Sequence, residues 1–274
     1  MDAGARGKAV RKGPLAVARI IMLFSPKRNR ARTLAELHDS QETSVVMSGN
    51  TQYSRQSPSP RYEELSRVYR QAHDGGLTPG GDGQSLFAGN SLLPHVEAIK
   101  SLVMATDAKD ILDYGCGKAG IYKKETLKLR SGETVGPILE YWGAASITLY
   151  DPGVAEYATP PQRTFDGVVS TDVLEHIPEE DIPWVLGEFF AFADRFVFAN
   201  IASYPATKVL PNGWNAHVTI RPPEWWAERI NDAARGWRGQ RYQFAVSEKR
   251  AGFDRLVGKI LSRGKMKLTE IACP

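Results

Sequence analysis

The chain has 274 residues, of which 42% are hydrophobic and 24% are charged, and it contains two cysteines and five histidines. This length allows one full hydrophobic core with an extension rather than several domains. Cys116 and Cys273 lie far apart and the histidines are scattered, which excludes a disulfide framework and a zinc-type ligand cluster of regular spacing. We therefore expect a cytoplasmic protein without a metal ion.

The net charge of +4 conceals a strongly basic N-terminal head. Residues 1–32 carry nine Lys or Arg against one acid, whereas the other 242 residues carry 26 bases against 30 acids. The apolar stretch at 15–24 has ten residues and contains Arg19, so it is too short and too charged to span a bilayer, and it differs from the unbroken apolar region of a signal peptide. Two interpretations stay open: a flexible basic tail, or a segment in peripheral contact with an anionic membrane.

A polar stretch at 39–60, rich in Ser, Thr and Gln, predicts a linker, so residues 1–60 would form an extension. Helical periodicity begins near residue 62, is interrupted by the glycine-rich stretch 75–83, and resumes over 91–104. We expect residues 61–104 to form a helical segment that caps the ligand site of the following domain, 105–274.

From residue 110 onward, short β-like runs alternate with helical patterns. Strands are predicted at 111–114, 146–150, 167–170, 196–201, 242–246 and 266–271, and helices at 179–193 and 223–234. Alternation of this kind predicts a Rossmann-like α/β fold, with a mostly parallel central sheet and helices on both faces. In such sheets the ligand crevice lies outside the carboxyl ends of the strands.

A glycine motif ends the first of these strands and is expected to open a helix. Gly115, Gly117 and Gly120 form G-x-G-x-x-G, which on its own indicates only a nucleotide-like ligand. Asp113 precedes the motif, where its carboxylate would repel a pyrophosphate but could bind a cationic ligand or hold the loop. The next acid that ends a strand, Asp151, lies 38 residues after Asp113, whereas a dinucleotide site needs its acid about 20 residues after the glycines.

Three segments together resemble the class I methyltransferases that use S-adenosylmethionine (SAM). ILDYGCGKAG resembles their first motif, ITLYDPG their second strand with its ribose-binding acid, and FDGVVSTDVLEHIP the fourth strand and its exit. The last segment is typical of the branch that methylates small molecules and sugars. The resemblance covers about residues 85–274.

The resemblance implies a role for each matching position. Asp113, Gly115, Cys116 and Gly117 would surround the methionine part of the cofactor, and Asp151 would hold the ribose hydroxyls. Asp172 would contact the cofactor at the exit of the fourth strand, and Glu175 and His176 would face the acceptor. For Asp113 the alternative is a carboxylate that only stabilises the loop, and for Asp151, which precedes Pro152-Gly153, it is a turn residue.

Candidates for the acceptor side come from two segments. His176 and His217 have a side chain suited to general-base catalysis at neutral pH, and Trp225 offers an aromatic wall for a sugar or another flat surface. The alternatives are a histidine that stabilises its loop and a tryptophan that belongs to the core.

Two stretches depart from the family pattern. The 26 residues between Gly120 and Ile147 exceed a single crossover helix and predict an insertion. The 13 residues between Asp151 and Phe165 are too few for a helix and a third strand, so no adenine-binding residue is assigned.

The expected activity is transfer of a methyl group from SAM to a hydroxyl or amine of a small molecule, a glycan or a lipid-linked intermediate. A nucleic-acid methyltransferase is disfavoured because the body of the chain is acidic. A non-catalytic SAM-binding scaffold and, third, a dehydrogenase stay as alternatives. The sequence does not indicate the oligomeric state.

Overall fold

The structure is a computed structural model that describes residues 52–75, 89–237, 239–249 and 266–273. The predicted head, the linker up to residue 51 and residues 76–83 of the glycine-rich stretch lie outside the described residues. Among the helices that are described, none is both long and apolar enough to cross a membrane.

A six-stranded sheet forms the centre of the protein and confirms the predicted Rossmann-like α/β fold. Its strands in chain order are β1 (Asp110–Tyr114), β4 (Ser146–Tyr150), β5 (Phe165–Thr171), β6 (Ala193–Ala202), β7 (Arg241–Lys249) and β8 (Met266–Ala272). They lie in the order β4-β1-β5-β6-β7-β8, and all neighbours are parallel except β8, which pairs antiparallel with β7. From β1 the chain first adds β4 on one side and then adds β5 and the later strands on the other side. The point between β1 and β5 is therefore a topological switch point, where α/β sheets open a ligand crevice.

Helices cover both faces because alternate residues of each strand point to opposite sides. Helices α2 (Val96–Thr106) and α3 (Ile138–Trp142) pack on the face that carries Ile111 and Val169. Helices α4 (Ile182–Phe192) and α5 (Pro223–Ala234) pack on the opposite face, against Leu112 and Val168.

The segment between β1 and β4 differs from the expected helix opening. The chain leaves the glycine loop through a four-residue 3₁₀ turn (Gly120–Lys123) and then forms a two-stranded antiparallel hairpin, β2 (Leu127–Lys128) and β3 (Thr134–Val135), before α3. Leu127 and Leu129 are buried whereas Lys128 and Arg130 are exposed, so the basic run at 123–130 has the period of a strand rather than that of a helix. The predicted insertion is this hairpin.

The end of the predicted linker packs on the sheet domain. Ser59 directly precedes helix α1 (Pro60–Gly75), and its Oγ accepts a hydrogen bond from the Tyr62 amide at 3.0 Å. The Ser59 amide donates to Asp181 Oδ1 at 3.0 Å. Just before it, Arg55 forms a bidentate ion pair with Glu188 of α4. Residues 52–59 are therefore part of the folded body, which corrects the boundary of the linker predicted over 39–60.

Candidate functional site

A cavity of about 640 Å³ opens at the carboxyl end of the sheet, which is the volume typical of ligand pockets. The ends of all five parallel strands contribute to its wall: Tyr114, Asp151, Thr171, Ala202 and Lys249. One face of α1 forms the opposite wall, with Tyr62, Leu65, Ser66, Tyr69 and His73 at helical spacing. Within the predicted cap segment 61–104, α1 thus lines the cavity, whereas α2 belongs to the core of the sheet domain.

The glycine loop lies on the cavity wall. Gly115 has φ +84°, and a Cβ at this position would stand 2.2 Å from Val173 Cγ2, so only glycine fits. Its amide donates to the Tyr150 carbonyl at 2.7 Å, which fixes the loop to the end of β4. Gly117, with φ +55°, also lines the cavity and exposes backbone to a ligand without a side chain.

Asp151 connects the glycine loop to the end of β4. Its Oδ2 accepts from the Gly117 amide at 2.8 Å, and its Oδ1 accepts from the Gly153 amide at 2.8 Å. The carboxylate therefore holds both the loop and its own turn, as the turn interpretation expects. Each carboxylate oxygen can accept a second hydrogen bond, so Asp151 also retains the capacity to bind ligand hydroxyls from the cavity wall.

Asp113 and Cys116 are buried beneath the loop, and neither is among the described residues that line the cavity. Asp113 Oδ2 accepts from the Tyr122 hydroxyl at 2.8 Å, and Oδ1 has no partner within the described part of the chain. Burial raises the pKa of Asp113 to about 7, against the opposing effect of the Tyr122 hydrogen bond. This geometry agrees with a carboxyl that supports the loop rather than with direct contact to a ligand.

Asp172 follows β5 directly and is exposed on the cavity wall. It has φ +54°, which is uncommon for a residue other than glycine, and Asn200 at the end of β6 holds it there. The Asn200 amide donates to Asp172 Oδ1 at 2.6 Å, and Asn200 Oδ1 accepts from the Asp172 backbone amide at 3.2 Å. The strained backbone thus directs one carboxylate into the cavity.

His176 and His217 line the cavity side by side, with ring centroids 5.0 Å apart. His176 Nδ1 lies 2.7 Å from the Ala216 carbonyl and 2.7 Å from the Tyr69 hydroxyl, and His217 Nδ1 lies 2.6 Å from the Tyr204 carbonyl. Burial lowers the pKa of His176 to about 4, and burial also lowers the pKa of His217. Burial therefore favours the neutral form of both rings.

Glu175 lies behind these two histidines and is fully buried. Its Oε1 accepts from the Ala202 amide at 3.0 Å, whereas Oε2 has no partner among the described residues. Burial raises the pKa of Glu175 well above its usual value, with a further contribution from Asp172. One donor atom each from Glu175, His176 and His217 lies within 4.8 Å of the other two, a set of ligand types that can hold a metal ion.

Trp225 is placed away from these groups. It lies in the first turn of α5, edge-on to the buried Trp226, and the Arg229 guanidinium stacks 3.6 Å from its ring centroid. It is not among the described residues that line the cavity, and neither is Glu175, so the structure offers no direct contact between these two predicted acceptor residues and the cavity.

Sequence reasoning missed several cavity residues. Tyr69 and His73 lie in a segment predicted only as a helical cap. Asn200, near the end of β6, was also not predicted; it does not line the cavity but holds Asp172 through two hydrogen bonds. The period of α1, with residues 62, 65, 66, 69 and 73 on one face, is the signal that identifies its cavity wall.

The chain matches no protein-family model, and a search of curated proteins finds no significant match.

Proposed function

We propose that the protein is a SAM-dependent methyltransferase that acts on a hydroxyl or amine of a small molecule, a glycan or a lipid-linked intermediate. The observation that carries the proposal is the pairing of the glycine loop with Asp151 at adjacent strand ends on the switch-point cavity. At this place the glycine loop exposes backbone to the cavity without a side chain, and the Asp151 carboxylate is hydrogen-bonded to the Gly117 amide of the same loop.

The described residues fit the cofactor. A side chain at Gly115 is sterically forbidden, and Gly117 likewise adopts positive φ, so the loop presents backbone to the cavity. The free acceptor capacity of Asp151 suits two ribose hydroxyls. When bound, SAM supplies a methyl group already activated by its sulfonium, so the protein has chiefly to position the acceptor and receive a proton.

A dinucleotide fits this site less well. Pyrophosphate binding relies on a helix N-terminus directly behind the glycine loop. In the described residues 115–137 the loop is followed by a 3₁₀ turn and a hairpin, and no α-helix begins there. The buried carboxyl of Asp113 beneath the loop also disfavours a pyrophosphate.

The acceptor side of the cavity lies between α1 and the exit of β5. Asp172 presents an exposed carboxylate, and His176 and His217 present imidazoles whose burial favours the neutral form. A neutral imidazole can accept a proton from a hydroxyl, although a pKa of about 4 makes His176 a weak base. We propose that these three residues position the acceptor, with His176 and His217 as the catalytic candidates.

Calorimetry with SAM and with its demethylated product tests the proposal. We expect both ligands to bind the full chain, and Asp151→Asn to weaken binding at least about tenfold, because a charged hydrogen-bond acceptor is lost. Glu180→Gln, which removes an exposed acid outside the cavity, serves as the matched control and should bind as the original protein does. Absence of binding at millimolar ligand, or binding of NAD instead, would refute the proposal.

A further inference from the structure

Two histidines and a glutamate lie close enough together to be considered as a set of metal ligands. Glu175 and His176 lie in a 3₁₀ turn after β5, and His217 lies 41 residues further along the chain. The amides of Val218 and Thr219 both donate to the Glu175 carbonyl, at 2.8 and 3.0 Å, and so fix the second segment beside the first. One donor atom of each of the three residues lies within 4.8 Å of the other two.

The hydrogen bonds of the two imidazoles are compatible with the tautomer that a metal needs. A carbonyl oxygen can only accept, so His217 Nδ1 donates to the Tyr204 carbonyl. His176 Nδ1 lies 2.7 Å from both the Ala216 carbonyl and the Tyr69 hydroxyl, and it is a donor when that hydroxyl donates to the same carbonyl, at 2.8 Å. In a neutral ring this leaves the lone pair on Nε2. Metal-binding histidines characteristically donate their other ring N–H to a carbonyl or carboxylate in this manner.

The buried side chain of Glu175 provides a second, independent observation. Glu175 is fully buried, and Oε2 has no hydrogen-bond partner among the described residues. A buried carboxyl oxygen without a partner is costly, and native proteins normally satisfy such an atom with a hydrogen bond, a water molecule or an ion. An ion between Glu175 and the two imidazoles would satisfy it.

We propose that Glu175, His176 and His217 bind one divalent transition-metal ion, of which Zn²⁺ is the best match. Two imidazole nitrogens and one carboxylate oxygen form a three-ligand set typical of zinc sites that keep a position open. Because metal–ligand bonds of about 2.0–2.2 Å bring donor atoms closer together than 4.8 Å, binding draws the three side chains inward. His176 and His217 line the cavity, so the open position faces it.

The metal site does not depend on the methyltransferase proposal. If methyl transfer also takes place, the ion provides a Lewis acid that binds an acceptor oxygen and lowers its pKa. The two histidines would then serve as ligands rather than as general bases.

Metal binding is measured directly on the full chain, purified without a polyhistidine tag, stripped with a chelator and dialysed against Zn²⁺ alone. Elemental analysis should find one ion per chain, and Co²⁺ in place of Zn²⁺ should give the visible d–d absorption of a nitrogen- and oxygen-ligated ion. Glu175→Gln and His217→Ala should each weaken binding at least about tenfold, since loss of one ligand or its support has at least this effect. His73→Ala, which removes another cavity histidine, should keep the full stoichiometry.

Absence of stoichiometric binding by the stripped protein at micromolar Zn²⁺ would overturn the proposal, and so would unchanged binding in both folded variants. If His217→Ala does not fold, the proposal is tested by the Co²⁺ spectrum of the unmodified chain and by the Zn²⁺ affinity of the isosteric Glu175→Gln variant. SAM calorimetry on the stripped and loaded proteins separates the two proposals, because neither metal readout requires methyl transfer.

Discussion

Asp113 carries a carboxyl group whose environment favours the protonated form. Burial raises its pKa to about 7, whereas the pKa of an unperturbed Asp is 3.8. Between these two values the folded state binds the proton and the unfolded state does not, so the stability of the protein falls as pH rises. Ionisation of this buried carboxyl beneath the glycine loop is therefore unfavourable for the folded protein. The carboxyl accepts a hydrogen bond from the Tyr122 hydroxyl.

Replacement of Asp113 by Asn removes this pH-dependent penalty and retains an acceptor for the Tyr122 hydroxyl. We compare the free energy of unfolding of Asp113→Asn with that of the original protein at each pH. We expect this difference to favour the variant by about 1–3 kcal/mol more at about pH 8 than at about pH 5. Urea denaturation of the ligand-free protein and the variant at both pH values measures the difference. An identical effect at the two pH values would show that Asp113 is ionised in the folded protein.

At the scale of single residues, the sequence predicted spatial proximity best where a motif is local. Gly115, Gly117 and Asp151 meet on the cavity wall because they end neighbouring parallel strands, which the strand pattern indicates. Proximity of Glu175 and His217 was not predictable, because it depends on a long loop that returns to pair with the Glu175 carbonyl. The scattering of histidines along the chain concealed the cluster.

At the scale of elements, α1 connects one wall of the cavity to the core. The segment before it is held by Arg55, which pairs with Glu188 on α4 and donates to the hydroxyls of Tyr150 and Tyr114 at the ends of β4 and β1. Only about a fifth of each charged side chain is exposed. This network joins α1, which lines the cavity, to both sides of the switch point.

Loss of Arg55 should therefore destabilise the protein and loosen α1. We expect Arg55→Met to cost about 2–4 kcal/mol, because it leaves the Glu188 carboxylate partly buried without its partner. The double variant Arg55→Met with Glu188→Gln should recover part of this loss, since the unpaired charge is then removed as well. Chemical denaturation of the four proteins of this cycle gives the coupling energy, and simple additivity would contradict the account.

Elements with a strong local signal were predicted closely. The predicted bounds of β4 and α5 agree with those in the structure. Polar and apolar residues alternate in the sequence of β4, and Pro223 marks the start of α5. The predicted helix at 91–104 is in fact a 3₁₀ turn (Asn90–His95) that contains Pro94, followed by α2. The two-residue strands β2 and β3 give too short a pattern for prediction, and the docking of residues 52–59 depends on partners 59 to 133 residues away.

At the scale of the whole molecule, charge separates the basic head from an acidic body. The hypothesis of a peripheral membrane contact predicts that the full chain sediments with anionic vesicles at low salt and is released as salt rises, because screening weakens charge attraction. A chain that lacks residues 1–32 should not sediment. Neutral vesicles are the control, and equal sedimentation with and without the head would contradict the hypothesis.

We propose that SAM binds where the glycine loop meets Asp151, at the carboxyl ends of β1 and β4. Hydrogen–deuterium exchange of the full chain, with and without SAM, tests both the ligand and its location. We predict slower exchange in peptides that cover residues 113–122 and 150–157, and no such change with NAD. Unchanged exchange in both segments at saturating SAM, or protection confined to peptides outside the cavity, would contradict the account.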